Sequence, residues 1–338
     1  MTDRTLSRRA LVAAGSLTLA APAFIGRAQA ATTLRFSTSY PNDPKFSTAR
    51  IWYDMFLPKL KEAVGDQIAI QFFPDNQLGQ EADVANQVKL GVVDASLVGT
   101  SIWSNLVPEI GAFDLGYLFQ DFAHQRRACE TPEGVALAEL LAQKAGTRVV
   151  AWGRNLGARN FLTKFAFKTP DQLAGKKIRS LPSPMVTETV KLMGAAATPM
   201  AFGEIYTALQ AGVVDGLEHD APTILSSKFY EAAKTFTLTR HIYTPFCCFL
   251  SERTLKKLPA NLHDGLVNAV KQATAEQFDR AAKIEADAVE NLKQLGVTVE
   301  ECDRSVFRER VKPLWDTFIK QNPGAKPFVD ATLRVERA

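Results

Sequence analysis

Two distant segments of this chain share one pattern of residue types at the same spacing. Residues 83–94 end in Leu90-Gly91-Val92-Val93-Asp94, and residues 204–215 end in Ala211-Gly212-Val213-Val214-Asp215. Each segment reads as a helix that is stopped by glycine and that turns directly into a Val-Val-Asp strand. One such unit in each half predicts two α/β lobes of like topology.

The second unit lies within residues 176–220, whose apolar runs predict the order strand, helix, strand, helix, strand of a parallel α/β unit. In such sheets small ligands bind at the carboxyl ends of the strands. Arg179 and His219 fall at two of these ends, which predicts a cleft that binds a carboxylate. The alternatives are a surface ion pair for Arg179 and a core histidine, satisfied by the backbone, for His219.

Further elements are predicted along the chain. Strands are predicted at 33–38, 68–73, 148–159 and 297–299, and helices at 47–64, 81–90, 128–145, 262–295 and 307–320. The strand 148–159 and the segment 241–245 are predicted to cross between the lobes as a two-segment hinge. The helix over 262–295 would be about 50 Å long, enough to brace both lobes.

The first 30 residues predict an export signal. Ser7-Arg8-Arg9 precedes an apolar run to Ile25, and Ala28-Gln29-Ala30 offers a small-x-small cleavage site. These features indicate a signal peptide over residues 1–30, with the paired arginines of the twin-arginine type. The mature chain is expected in the periplasm.

The remaining length, about 308 residues, exceeds what one core comfortably supports. We predict lobe I over 31–156 and 245–284, and lobe II over 157–244 and 285–338. The formal net charge of +4 falls to +1 without the signal, because four arginines and one aspartate lie there. This near-neutral balance excludes the basic footprint of a nucleic-acid-binding protein.

Enzyme and metal motifs are absent from the sequence. It contains no Gly-x-Ser-x-Gly elbow, His-Glu-x-x-His motif or phosphate loop. The four cysteines and four histidines have no metal-ligand spacing, and Cys247 and Cys248 read as buried small hydrophobes. We therefore expect no catalysis, no metal and no cofactor.

Five stretches of the mature chain, in this order, match one family. They are Pro74-Asp75-Asn76-Gln77-Leu78-Gly79, Leu173-Ala174-Gly175-Lys176-Lys177-Ile178-Arg179, Pro199-Met200-Ala201-Phe202-Gly203-Glu204-Ile205-Tyr206-Thr207-Ala208-Leu209-Gln210, Val214-Asp215-Gly216 and Ser227-Lys228-Phe229-Tyr230-Glu231. On these residues the chain resembles the DctP family, the extracytoplasmic solute receptors of tripartite ATP-independent periplasmic (TRAP) transporters.

The resemblance implies a two-lobe α/β fold of the periplasmic-binding-protein (Venus flytrap) type, with a long helix spanning both lobes. It also implies that Arg179 holds the solute carboxylate, that Arg159 is a second ligand-facing arginine and that Phe202 forms a wall of the site. His219 stands where many members have asparagine, which leaves the exact solute open.

The residue chemistry agrees with these roles. A guanidinium presents a planar fork to both carboxylate oxygens and stays charged at working pH. Glu218 is expected to orient an arginine. Trp152, Tyr40 and Asn155 are further candidates for the cleft lining, with packing roles as the alternative.

The predicted function is a monomeric periplasmic receptor that captures a small organic acid, a sugar acid or a hydroxy or keto acid, by lobe closure. It would deliver that acid to the membrane subunits of a TRAP permease. A C4-dicarboxylate receptor stays open because Arg159 or His219 could hold a second acid group. Other rivals are an exported enzyme and a receptor that signals to a membrane sensor.

Overall fold

The structure, a computed structural model, describes residues 31–335. The predicted signal peptide lies outside these residues. The strands are β1 (Thr32–Ser37), β2 (Ile68–Phe73), β3 (Ala95–Gly99), β4 (Thr147–Val149), β5 (Arg159–Thr163), β6 (Lys177–Ser180), β7 (Ala196–Pro199), β8 (Gly216–His219), β9 (Thr235–Ile242), β10 (Phe246–Ser251) and β11 (Thr298–Glu300).

The helices lie between and after these strands. They are α1 (Thr48–Val64), α2 (Glu81–Leu90), α3 (Phe122–Cys129), α4 (Pro132–Ala145), α5 (Pro184–Leu192), α6 (Ile205–Gln210), α7 (Ala221–Ser226), α8 (Glu252–Leu255), α9 (Ala260–Gln294), α10 (Arg304–Val311), α11 (Pro313–Gln321) and α12 (Lys326–Val335). Short 3₁₀ turns lie at Thr100–Asn105, Pro108–Asp114, Pro170–Leu173, Phe202–Glu204, Phe229–Glu231 and Pro323–Ala325.

Two mixed sheets organise the chain. The first sheet has the strand order β2-β1-β3-β10-β4, and the second sheet has the order β11-β9-β5-β8-β6-β7. The predicted α/β class with two sheet-based halves is confirmed. The predicted lobe limits stay a prediction, although α12 packs against α3 and α4 of the first half.

The aspartates of the two repeated segments make the same kind of hydrogen bond, one in each sheet. Asp94 Oδ2 accepts a hydrogen bond from the backbone N–H of Arg35 at 2.7 Å, and Asp215 Oδ2 accepts one from that of Lys177 at 2.8 Å. The order β2-β1-β3 of the first sheet matches β7-β6-β8 of the second, with parallel pairing throughout. The prediction of like topology is therefore confirmed for these strands.

The predicted Val-Val-Asp strands are wrong in detail. Val92, Val93 and Asp94 form turns, and the strand begins only at Ala95. The left-handed Gly91 (φ 72°) reverses the chain, so that Val92 N–H donates back to the Gln87 carbonyl. The valines therefore lie in the turn that follows the helix, and each aspartate directly precedes its strand.

The predicted continuous strand over 148–159 is also wrong, because residues 150–158 are irregular between β4 and β5. The second crossing was predicted over 241–245, but residues 241 and 242 belong to β9. Residues 243–245 pair with the first crossing through Asn155 N–H to the Thr244 carbonyl at 3.2 Å. Gly153 N–H donates to the Phe246 carbonyl at 3.1 Å, and a Cβ on Gly153 would lie 2.6 Å from that oxygen. Two irregular segments, bonded to each other, thus join the sheets.

Helix α9 is a single helix of 35 residues, about 50 Å long. Leu266 and Val270 pack with the apolar residues of the first sheet, whereas Ala288 and Leu292 pack with those of the second. Glu285 of α9 ties down the first crossing, since its carboxylate accepts from Ala158 N–H at 3.0 Å and from Arg154 Nη2 at 3.1 Å. The predicted spanning helix is confirmed.

Other helix predictions need correction. The single helix over 128–145 is two helices, α3 and α4, because Thr131 caps a new helix that begins with Pro132. The final helix over 307–320 is likewise split before Pro313, and α12 follows it unpredicted. Cys247 and Cys248 are buried in β10, as predicted. Within residues 31–335, no helix combines the length and apolar character needed to cross a membrane.

Candidate functional site

Side chains at the carboxyl ends of strands from both sheets meet in one place. β6 and β8 pair in parallel with Arg179 opposite Leu217, so Arg179 and His219 lie near one edge of the second sheet. The ring of Tyr40, in the loop after β1 of the first sheet, lies 5.9 Å from that of Phe202 and 6.3 Å from that of His219. We call this meeting place of side chains from the two sheets the cleft.

The Arg179 side chain is fully buried but lacks a complete set of partners. Nε and Nη2 donate to the carbonyl oxygen of Met200 at 3.0 and 2.7 Å, whereas Nη1 makes no hydrogen bond to any residue from 31 to 335. Burial lowers the pKa of Arg179 to about 10, against the charge of Glu218, which raises it. The group therefore stays a cation at neutral pH, with one nitrogen available.

The hydrogen bonds of Arg179 determine which of its nitrogens can bind a carboxylate. Its Nε edge is committed to Met200. Each terminal nitrogen of a guanidinium carries two protons, so both Nη1 protons and one Nη2 proton remain. That pair of nitrogens can still bind a carboxylate end-on through two hydrogen bonds.

Arg159 and Glu218 form a buried ion pair. Arg159 Nε and Nη2 donate to the two carboxylate oxygens of Glu218, the Nη2 bond being 2.7 Å long, and Nη2 also donates to the Glu218 carbonyl at 3.1 Å. Burial alone would raise the pKa of the Glu218 carboxyl, but the charge of Arg159 holds it well below its ordinary value. The structure thus joins Glu218 to Arg159, and the predicted role of Glu218 in orienting an arginine for the solute stays a prediction.

His241 adds a third group beside this pair. Its Nε2 lies 3.6 Å from Glu218 Oε2, beyond hydrogen-bond range, and its Nδ1 lies 2.8 Å from the hydroxyl of Thr239. Burial lowers the pKa of His241 although the Glu218 carboxylate raises it. We therefore assign a neutral imidazole, which leaves Arg159 to balance the charge of Glu218.

His219 is buried and held by its neighbour Asp220. Its Nδ1 lies 2.9 Å from Asp220 Oδ2, and its ring lies 5.8 Å from that of Phe202. Its contact is therefore with a carboxylate side chain as well as with the backbone N–H of Asp220. Nε2 makes no hydrogen bond to any residue of the described chain, 31–335.

Asn155 offers a second buried donor. The Tyr40 hydroxyl donates to Asn155 Oδ1 at 3.2 Å, and burial raises the pKa of Tyr40 well above its ordinary value. Asn155 is 1% exposed, yet its Nδ2 has no hydrogen-bond partner among residues 31–335. Since buried donors are almost always paired, this nitrogen is suited to an oxygen of a bound solute.

The structure does not bring Trp152 to this group. Its half-buried ring packs 4.7 Å from that of Phe113 and lines a surface cavity with Arg126 and Phe278. These are packing contacts, the alternative that the sequence left open for this residue.

Glu81 is a cleft residue that the sequence reasoning missed. It is the first residue of α2, and its Oε1 accepts from the Ser39 hydroxyl at 2.6 Å. Its charge favours a higher pKa for both Tyr40 and Arg179, although burial leaves the pKa of Arg179 lowered overall. The sequence signal that could have identified Glu81 is its position just after the loop at the carboxyl end of β2.

Two of the motif stretches touch each other across the cleft. A Cβ added to Gly203 would lie 3.1 Å from Gln80 Nε2 and 3.3 Å from Asn76 Nδ2. The side-chain oxygens of Asn76 and Gln80 are buried without hydrogen-bond partners in the described chain. The loops after β2 and β7 therefore approach closely at Gly203, where an added side chain would press on the ends of the Gln80 and Asn76 side chains.

A buried carboxylate, Asp114, links the 3₁₀ turns of the first half to the segment after β6. It accepts from the hydroxyl of Ser101 at 2.6 Å and from that of Ser183 at 3.2 Å. Burial raises the pKa of Asp114 to about 7, although Ser101 and the charge of Arg159 lower it. Asp114 therefore titrates near neutral pH at a contact between the two halves.

Replacing Asp114 by Asn is expected to change the pH dependence of unfolding. The folded pKa of about 7 exceeds the ordinary 3.8, so the folded state binds the proton more tightly. This contribution to stability is full below the ordinary pKa and is lost as pH rises through about 7, at most about 4 kcal/mol. Urea titrations across this range should show the free energy of unfolding of Asp114→Asn rising relative to that of the wild type as pH increases. The control Asp171→Asn, at an exposed aspartate, should show no such trend. If the difference between Asp114→Asn and the wild type does not change with pH, the raised pKa of Asp114 is refuted.

Metal binding finds no support in side-chain clustering. Among the described residues, 31–335, no group of three or more His, Cys, Asp or Glu side chains could hold a metal ion. The cleft offers unpartnered donors and a buried cation, an arrangement suited to an organic anion.

Comparisons with known proteins place this chain among binding proteins. Residues 38–322 match the family "Bacterial extracellular solute-binding protein, family 7". A solute-binding protein of Verminephrobacter eiseniae is 32% identical over 295 residues, 87% of each chain.

Solved structures of similar fold contain sugar acids. A TRAP periplasmic solute-binding protein of a Polaromonas species, bound to D-erythronate, is 32% identical with a TM-score of 0.83, covering 89% of this chain and 98% of its own. The sugar acid binding protein DctPAm of Advenella mimigardefordensis, in complex with galactonate, is 27% identical with a TM-score of 0.85, covering 90% and 99%.

Proposed function

This chain belongs to the bacterial extracellular solute-binding protein family 7, the DctP family, and we propose that it is the periplasmic receptor of a TRAP transporter. Its solute is a sugar acid whose carboxylate binds Arg179. The receptor works as a monomer without a cofactor and delivers the solute to the membrane subunits of a permease. The family consists of receptors rather than enzymes, which supports the absence of a catalytic role.

The buried, incompletely paired Arg179 carries this proposal. It forms no ion pair with a carboxylate of residues 31–335, and its Nη1 has no partner. A buried charge without a counter-ion costs several kcal/mol, and a bound carboxylate would relieve that cost. Because Arg159 already has a carboxylate counter-ion in Glu218, Arg179 is the arginine whose charge a solute carboxylate would balance.

Binding is proposed to be coupled to closure of the two halves. Tyr40, Glu81 and Asn76 come from the first sheet and its loops, and Arg179, Phe202 and His219 from the second. A solute held between them contacts both sides, so it binds the closed arrangement better than an open one. The permease can then distinguish the loaded receptor by its closed surface.

The sugar acids bound by the two solved structures support a hydroxylated carboxylate as the solute. The C4-dicarboxylate alternative is weakened by the Arg159–Glu218 pair. The charge of Arg159 is already balanced by the Glu218 carboxylate, so a second acid group placed there would also be repelled by Glu218.

Thermal unfolding with a panel of acids tests this function. D-Galactonate or D-erythronate at 100-fold its Kd should stabilise the protein by about 2.7 kcal/mol and raise Tm by several degrees. D-Galactose, which lacks the carboxylate, is the matched control and should give no shift. If no sugar acid raises Tm, or galactose raises it equally, the proposal is wrong.

A further inference from the structure

We propose that Asp220 fixes the tautomer of His219, so that Nε2 presents a lone pair to the cleft and selects a solute with a hydroxyl group there. A keto oxygen or a second carboxylate at that position would be rejected. This inference rests on the proposed function, because it assigns His219 to the solute site.

Asp220 is a buried carboxylate held by a nearly complete set of donors. It is fully buried, Oδ1 accepts from Thr223 N–H at 2.9 Å, and Oδ2 accepts from the Thr223 hydroxyl at 3.1 Å. His219 Nδ1 lies 2.9 Å from Oδ2. Burial alone would raise the pKa of Asp220, but His219 and Thr223 hold it below its ordinary value. Asp220 is therefore an anion that needs donors around it.

Two groups compete for His219 Nδ1. The backbone N–H of Asp220 points at it from 3.0 Å, which favours a lone pair on Nδ1, whereas Oδ2 at 2.9 Å favours a proton. A hydrogen bond to a carboxylate is roughly twice as strong as one between neutral groups. A lone pair facing a buried anion would also cost the Asp220 carboxylate a donor. The hydrogen bond to the Asp220 carboxylate is therefore the stronger of the two, and Nδ1 carries the proton.

The imidazole is neutral, so the second nitrogen has no proton. Burial and the charge of Arg159 lower the pKa of His219, outweighing Asp220 and Glu218, which raise it. A neutral imidazole with Nδ1–H has an acceptor at Nε2. This nitrogen makes no hydrogen bond to any residue of the described chain.

A solute group that lies against Nε2 can therefore bond to it only by donating a hydrogen. The rings beside His219, those of Tyr40 and Phe202, offer it no side-chain donor, since the Tyr40 hydroxyl donates to Asn155. A hydroxyl can donate to Nε2, whereas keto and carboxylate oxygens can only accept. An acceptor-only group would set two lone pairs against each other in a buried site.

Nitrogen NMR of the histidine ring tests the tautomer directly. In 15N-labelled protein at neutral pH, the ring signals that vanish in His219→Asn belong to His219. Long-range proton–nitrogen spectra should show Nδ1 protonated and Nε2 bare. A wild-type ring protonated at Nε2, or at both nitrogens, overturns the inference.

The Asp220→Asn variant should invert the tautomer. Asparagine keeps the oxygen that accepts from Thr223 N–H but can point its amide N–H at Nδ1, which moves the ring proton to Nε2. Thr223→Val is the matched control, because it removes a donor to Asp220 without touching His219, and its ring should stay protonated at Nδ1. If Asp220→Asn retains Nδ1–H, the inference fails. Should Asp220→Asn not fold, the wild-type spectrum alone still decides.

Binding measurements give the consequence for the solute. Isothermal titration compares D-galactonate with two oxidised analogues, galactarate and 2-keto-D-galactonate. In the wild type both analogues should bind more weakly than galactonate. In Asp220→Asn the Kd of at least one analogue, divided by the Kd of galactonate, should fall by about tenfold or more. If these Kd ratios are the same in both proteins, His219 does not select for a hydroxyl group. A wild type that binds none of these acids contradicts the proposed function instead.

Discussion

Arg179→Met is expected to lose sugar-acid binding while the ligand-free protein remains as stable as the wild type. Removing one partner of a buried, hydrogen-bonded charge pair costs about 2–5 kcal/mol, which is roughly 30-fold to several thousand-fold in Kd. In the free protein the same change removes a buried cation that has no carboxylate partner within residues 31–335. Loss of that desolvation cost offsets the lost bonds to the Met200 carbonyl.

Isothermal titration and urea unfolding together check this result. Arg179→Lys should also bind weakly, since an ammonium keeps the charge but not the planar pair of nitrogens. Arg310→Met, which removes a half-exposed guanidinium beside Asp171, is the matched control and should bind normally. The assignment fails if Arg179→Met binds within threefold of the wild type, or if its weaker binding merely follows a large loss of stability.

Glu218→Gln is expected to destabilise the protein strongly. The substitution leaves Arg159 as a buried cation without a counter-ion, and breaking a buried pair in this way costs about 3–5 kcal/mol. The folded pKa of Glu218 lies below its ordinary 4.5, so its contribution is full above about that pH and is lost as pH falls toward the folded pKa. Urea unfolding at neutral pH measures the loss.

An exposed pair supplies the comparison for Glu218. Glu301 accepts two hydrogen bonds from Arg240, but its side chain is 64% exposed. Glu301→Gln should therefore cost no more than about 1 kcal/mol. If Glu218→Gln costs no more than Glu301→Gln, Arg159 is balanced by another group and the pairing described above is not the one that stabilises the cleft.

Much of the fold follows from local patterns in the sequence. Strand β1, helices α1 and α2, and the spanning helix α9 have the alternations, caps and glycine stops that predict them. Val92 and Val93 show the limit of such patterns. Two valines before an aspartate favour a strand, but the left-handed Gly91 turns the chain and the aspartate bonds the neighbouring strand instead.

The sequence allowed us to predict which chain positions lie at the candidate site, but not which side chains contact each other there. Arg179 and His219 lie at strand ends because parallel strands place them there. That Arg159 turns to Glu218 depends on the pairing of β5 with β8, 59 residues apart in sequence. Trp152 lies in an irregular crossing, where no periodicity tells which way a ring points, and it packs on Phe113 instead.

The role of Arg179 can be seen in a crystal structure of the complex with D-galactonate. We expect a carboxylate oxygen of the solute at about 2.7–2.9 Å from Arg179 Nη1, with Nε still on the Met200 carbonyl. A solute whose carboxylate lies away from Arg179, with Nη1 still unpartnered, would contradict this role.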